Sequence, residues 1–125
     1  MINSRKIEDL TPNAQKKYRE FLDACEKAGL KILVISTLRD ASYQASLYAQ
    51  GRTKPGGIIT HCDGIKNKSY HQSGNAWDAV PVDSKGTILW NDAKKFKQMA
   101  DIAVSLGITA GYYFKSLKDS PHFQI

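Results

Sequence analysis

Polar and apolar positions along this chain repeat with two different periods, and the switches between them mark its elements. Between Pro12 and Gly29 the residues Tyr18, Phe21, Leu22, Cys25 and Ala28 recur at the spacing of an amphipathic helix. Thr11 supplies an N-cap, Pro12 suits the first helical position and Gly29 ends the run. Lys31 to Leu38 is then continuously β-branched and apolar, which predicts a central strand that delivers Arg39 at its end. Asp40 caps a second helix through Gln44, Leu47 and Tyr48 to Gly51, and residues 51–57 form a breaker-rich loop. From Gly74 onward Asn75, Trp77 and Ala79 alternate with Ala76, Asp78 and Val80, the period of a strand with one buried face. Turn residues fill Pro81 to Gly86, and Thr87 to Trp90 is short and extended. Asn91 or Asp92 caps a third helix with Phe96, Met99, Ala100, Ala103 and Leu106 on one stripe, ended by Gly107. Ile108 to Phe114 reads as a strand, and so does the apolar C-terminal end around Phe123.

The resulting order is helix, strand, helix, long loop, strand, short strand, helix, strand, strand. Hairpin-like connections late in the chain predict an α+β fold, with a mainly antiparallel sheet and helices packed on one side. A chain of 125 residues and 13.9 kDa is expected to form one domain over residues 1–125 without needing a covalent staple. Two cysteines in an ordinary globular composition do not make a disulfide framework, and Cys25 on its helical stripe reads as a small core residue.

Charge narrows the functional classes further. The net charge is +6, from 18 Lys and Arg against 12 Asp and Glu, and it favours polyanionic surroundings. Basic stripes with interleaved aromatics and nucleic-acid reader motifs are missing, so a nucleic-acid partner is not expected. No apolar run approaches the roughly 20 residues of a membrane span, and the N-terminus lacks the apolar region of a secretory signal. The chain is therefore expected to be made in the cytoplasm without stable membrane association.

The candidate chemistry lies in Ser69-Tyr70-His71-Gln72-Ser73-Gly74-Asn75-Ala76-Trp77-Asp78. Asp78 falls on the strand face of Ala76 and Val80, and an ionised carboxylate on an apolar face requires a cation: an Arg, a Lys or a metal. One reading pairs Asp78 with a basic side chain and leaves His71 as a polar loop residue. The other adds His122, from Asp119-Ser120-Pro121-His122-Phe123, because two His and one Asp leave zinc's fourth position open, as in catalytic sites. His61 and Cys62 are chemically able to bind zinc, but as neighbours on extended chain they point to opposite faces.

Ser69 to Asp78 matches S-x-H-x-x-G-x-A-x-D and Asp119 to Phe123 matches D-x-P-H-F. Together they resemble the zinc D-alanyl-D-alanine carboxypeptidase and L-alanyl-D-glutamate endopeptidase family, peptidoglycan peptidases that include many phage endolysins. The resemblance implies one zinc ion held by His71, Asp78 and His122, with Asp119 as general base. Arg39, Gln44 and Leu47 match its R-x4-Q-x2-L segment, which implies a catalytic Arg39 holding the scissile carbonyl or a substrate carboxylate, and substrate-binding roles for Arg39, Gln44 and Ser69. In a regular strand Asp119 and His122 would face opposite sides, so Ser120-Pro121 must bend the chain. Many relatives carry G-x-x-W-G where this chain has Gly107-Ile108-Thr109-Ala110-Gly111, and Ala110 in place of Trp is expected to alter the wall near the site.

The Gly51-Arg52-Thr53-Lys54-Pro55-Gly56 segment is similar to the phage-type endopeptidase branch. The implied function is zinc-dependent cleavage of the L-alanyl-D-glutamate bond of the peptidoglycan stem peptide by a phage or prophage endolysin. D-alanyl-D-alanine carboxypeptidase activity is the alternative, and a non-catalytic wall-peptide-binding or signalling module is the alternative from another class. The resemblance also implies a monomer without a separate wall-binding domain, reaching the wall after release from the cytoplasm.

Overall fold

The computed structural model describes residues 1–125, and its regular elements follow from local capping chemistry and long-range burial. Helix α1 runs Pro12–Lys27, where Thr11 Oγ1 accepts from the Ala14 amide, and it buries Ala14, Tyr18, Phe21 and Cys25. Strand β1 is Ile32–Ser36, and helix α2, Ala41–Ala49, is capped by Asp40 accepting from the Tyr43 amide. Strand β2 is Ala76–Pro81. Helix α3, Ala93–Ser105, is capped by Asp92 and buries Phe96, Met99, Ala100 and Ala103. Two short strands follow, β3 at Thr109–Ala110 and β4 at His122–Gln124. None of the helices is long and apolar enough to cross a membrane.

The sheet order is β1-β2-β4-β3 and every pairing is antiparallel. The mainly antiparallel α+β fold is as the pattern predicts, but three elements differ from it. β1 lies at the edge, with Leu33 40% exposed, because its apolar run pairs with β2 alone. Its far end is flanked instead by the N-terminal segment, through Thr37 N–H to the Ser4 carbonyl and Ser4 N–H to the Leu38 carbonyl. β2 is central and buried on both faces rather than one. Thr87 to Trp90 contributes a single bridge, Val82 to Ile88, and the strand expected over 108–114 stops at Ala110, where a 3-10 turn at Gly111–Tyr113 begins.

Alternation along β2 sorts the molecule into two sides. Trp77 faces the main core, stacked on Phe123 of β4 at 6.1 Å, with Tyr18 edge-on at 5.7 Å and Phe21 4.7 Å from Phe123. Helices α1 and α3 cover this face with Phe21, Cys25, Met99 and Ala103, all fully buried. Burial of such aromatic and aliphatic side chains contributes about 1.5–3 kcal/mol each, which fixes the register of the strands. That register places Asp78 opposite His122 across β2 and β4, and beside Ser36 of β1, on the other face.

Candidate metal centre

Three short-range devices bring His71 over the Asp78 face. Ser69 Oγ accepts from the His71 amide at 3.2 Å while Gln72 Oε1 accepts from the Ser69 amide at 2.9 Å, a capping box that closes a 3-10 turn over Tyr70–Ser73. Gly74 leaves that turn at φ +76, a conformation that favours glycine, and redirects the chain into β2. His122 starts β4 after a bend at Asp119–Pro121, with its own amide bonded to the Asp119 carbonyl at 3.1 Å. The bend that the motif requires is therefore present, and it leaves Asp119 Oδ2 4.0 Å from His122 Nδ1.

The donor atoms converge tightly. His71 Nε2 lies 3.1 Å from Asp78 Oδ1 and 3.2 Å from His122 Nδ1, and His122 Nδ1 lies 3.3 Å from Asp78 Oδ1. All three residues are buried, with exposures of 1%, 8% and 7% for His71, Asp78 and His122. The outer ring atoms fix the tautomers: His71 Nδ1–H donates to the Thr37 carbonyl at 2.7 Å, and His122 Nε2–H donates to Gln124 Oε1 at 2.8 Å. Each imidazole then turns a lone pair toward the other and toward a carboxylate oxygen, which is unfavourable without a cation among them. A tetrahedral ion with bonds of about 2.0–2.1 Å has ligand atoms about 3.3–3.4 Å apart, so the triangle fits zinc.

The opposite oxygen of Asp78 takes a second partner. Asp78 Oδ2 accepts from an Arg39 amino group at 3.1 Å, and the other Arg39 amino group points to Gln44 Oε1 at 3.4 Å. Without a cation the two imidazoles can instead carry a proton toward Asp78: burial raises its carboxyl, but hydrogen bonds and charge from protonated His122 and His71 outweigh it and hold the group well below the usual carboxylate range. Asp119 moves the other way: burial, then the negative charge of Asp78, raise it despite His122 and Arg39. A carboxylate with raised proton affinity beside the donor triangle is suited to proton transfer.

The remaining expectations divide. Arg39, Ser69 and Asp119 line a cleft of about 450 Å³ together with the three donors. Gln44 does not reach it. The Gln44 side chain is fully buried, with Nε2 donating to Thr60 Oγ1 at 3.2 Å and to the Cys62 carbonyl at 2.9 Å, so it ties Arg39 to the 60–62 loop and cannot touch substrate. His61 and Cys62 both border the cleft, contrary to the opposite-face expectation, yet neither belongs to the donor triangle. Ala110 is 3% exposed, paired with Phe123 and packed in the helix-side core, so the Trp replacement falls there and the aliphatic and phenyl part of the cleft wall comes from Leu47, Ile59, Phe114 and Leu117. Sequence reasoning missed Gln124 and the Thr37 carbonyl, because partners of ligands lie outside the ligand motif.

Residues 7–122 match the family model described as VanY, D-alanyl-D-alanine carboxypeptidase. The peptidoglycan L-alanyl-D-glutamate endopeptidase CwlK of Bacillus subtilis strain 168 is 30% identical over 125 residues, covering 94% of this chain and 74% of the relative. Among solved structures, the Serratia marcescens L-Ala D-Glu endopeptidase ChiX superposes with a TM-score of 0.69 at 22% identity, covering 95% of this chain and 82% of that one. The vancomycin-resistance D,D-pentapeptidase VanY, in complex with Zn(II), superposes with a TM-score of 0.66 at 14% identity, covering 92% and 71%. Matched from Ile7 to His122, its last histidine, the chain belongs to the VanY family.

Proposed function

We propose that this protein is a zinc-dependent peptidoglycan peptidase that hydrolyses the L-alanyl-D-glutamate bond of the stem peptide. The observation that carries the reading is the convergence of two fixed imidazole lone pairs and one carboxylate oxygen at 3.1–3.3 Å, with Asp119 beside them. His71, Asp78 and His122 would hold the ion, which supplies Lewis acidity toward water and toward the scissile carbonyl. Asp119 takes a proton from the attacking water and returns it to the nitrogen as the C–N bond breaks, so the products are a carboxylate and an amine. Arg39 neutralises Asp78 through Oδ2, and the second N–H on each of its amino groups is left for the substrate carbonyl. Ser69 keeps its O–H free to donate to substrate, since its oxygen accepts from the His71 amide. The choice of bond is supported by the likeness to CwlK and ChiX, each named for that cleavage.

Metal content by elemental analysis, measured beside turnover on purified peptidoglycan, tests the assignment of roles. His71→Ala, Asp78→Ala and His122→Ala should lose zinc and activity together, and a chelator should abolish wild-type cleavage. Asp119→Ala should keep near-stoichiometric zinc and lose about two to four orders of magnitude in rate. An Asp119→Ala protein that arrives without zinc would contradict the division between ligands and base. Mass spectrometry of the muropeptides identifies the bond, and loss of one terminal alanine would establish the D,D-carboxypeptidase reading instead.

A further inference from the structure

The cleft that holds the donor triangle does not end at its mouth. Arg39, Lys68, Ser69 and Tyr70 line both this cleft and an adjoining polar one of about 580 Å³, so they form the ridge between the two. Of the permanently charged side chains on the metal-site wall, Arg39 and Asp78 are paired with each other at 3.1 Å. Lys68 is exposed and its ammonium meets no carboxylate within the protein. Once a divalent ion joins the triangle, two side-chain cations face two carboxylates and the charge of the ion is left over, so the cleft favours a negatively charged ligand.

The segment carrying Lys68 is pinned on both sides. Asp63 Oδ1 gathers the amides of Ile65, Lys66 and Asn67 at 2.9–3.0 Å, and Gln72 Nε2 donates to the Gly64 carbonyl at 3.0 Å. The capping box at Ser69 and Gln72 fixes the next residues. The backbone that carries Lys68 and the free O–H of Ser69 is thus fixed beside the metal ligands, which removes the backbone part of the ordering cost of gripping a carboxylate.

The proposed substrate offers one at that place. Its glutamate is joined onward through the side-chain carboxyl, so the α-carboxylate remains free, two bonds from the nitrogen released by hydrolysis. We infer that Lys68 is a specificity-determining residue that receives this α-carboxylate, so that the protein selects stem peptides bearing glutamate over those bearing its uncharged α-carboxamide. The inference rests on the bond assignment above and adds to it the charge state of the residue next to the scissile bond.

Two synthetic tripeptides test it on the full chain: N-acetyl-L-alanyl-γ-D-glutamyl-L-lysine and its α-carboxamide, with kcat and KM measured for wild type, Lys68→Gln and Lys68→Arg. Wild type should prefer the acid by about tenfold in kcat/KM, the size of one charge-assisted contact at a part-exposed site. Lys68→Gln should raise KM for the acid and leave the carboxamide nearly unchanged, bringing the ratio close to one, and Lys68→Arg should keep most of the preference. Equal cleavage of both peptides by wild type, or an equal loss on both in Lys68→Gln, would overturn this role and leave the bond assignment standing. If wild type spares the alanyl-glutamyl bond in both and instead removes the terminal alanine of a pentapeptide, the bond assignment falls and the inference falls with it.

Discussion

Asp78 divides its oxygens between two kinds of partner: Oδ1 faces the imidazoles and Oδ2 faces the Arg39 guanidinium. The pairing with a basic side chain and the metal reading, which the sequence presents as alternatives, therefore coexist in one carboxylate. The same economy governs the histidines, whose outer nitrogens are spent on carbonyl oxygens so that the inner lone pairs are presented without a choice of tautomer. For His71 the acceptor is the backbone of Thr37, which substitution cannot remove. For His122 it is the Gln124 side chain at 2.8 Å, which can be changed. Gln124→Leu should weaken zinc binding by about 10- to 100-fold in competition with a chelator, with activity recovering when zinc is added in excess. Gln124→Glu, whose carboxylate accepts the same N–H, should retain the affinity. Wild-type affinity in Gln124→Leu would mean that the His122 ring is held by its packing alone.

At the scale of elements, the helices and the antiparallel character of the sheet were legible, and the order of its strands was not. Caps and stripes are local, so Thr11, Asp40, Asp92 and the burial of Tyr18, Phe21, Phe96 and Met99 stand where the sequence places them. Strand order is set by partners far along the chain, and nothing within Lys31–Leu38 distinguishes an edge strand from a central one. The site divides in the same way. The three donors and Asp119 could be read from two motifs, whereas the burial of Gln44 depends on Thr60 and Cys62, and the place of Ala110 on its pairing with Phe123. The turn after Ala110 is where fold and chemistry meet. Its Gly111 carbonyl accepts the Asp119 amide at 2.9 Å and the Phe114 amide at 3.1 Å, so it anchors both ends of the loop that carries Asp119, the proposed base. A Cβ at Gly111 would collide with the Asp119 carbonyl and approach His122 Cβ to 2.9 Å. Gly111→Ala should consequently cost about 1–3 kcal/mol of stability in denaturant unfolding and lower turnover through displacement of Asp119. Wild-type turnover in a folded Gly111→Ala protein would show that this anchor does not position the base.

At the scale of the whole molecule, charge acts over distances that the cleft does not use. Exposed pairs such as Lys27 with Asp23 at 3.0 Å and Lys97 with Asp101 at 2.9 Å are balanced locally, but 18 basic residues against 12 acidic ones leave +6. That excess favours polyanions through solvent, wall polymers being the proposed ones, and such an interaction is screened over about 8 Å at physiological ionic strength and about 3 Å at 1 M. The donor atoms instead sit 3.1–3.3 Å apart in a buried cluster, where salt screens far less than at the surface. Raising salt should therefore weaken attachment to an intact wall without altering the hydrolytic step. The comparison requires a soluble substrate that does not itself depend on an exposed charge, and the α-carboxamide tripeptide meets that condition for Lys68 when its terminal lysine carboxyl is amidated as well. Release of soluble fragments from a wall suspension should fall severalfold between about 0.05 and 0.5 M sodium chloride, a range over which the Debye length shortens about threefold, while kcat/KM on the carboxamide changes by less than about twofold. A parallel decline in both assays would place the salt effect in the cleft and remove any role for the net charge in holding the protein at the wall.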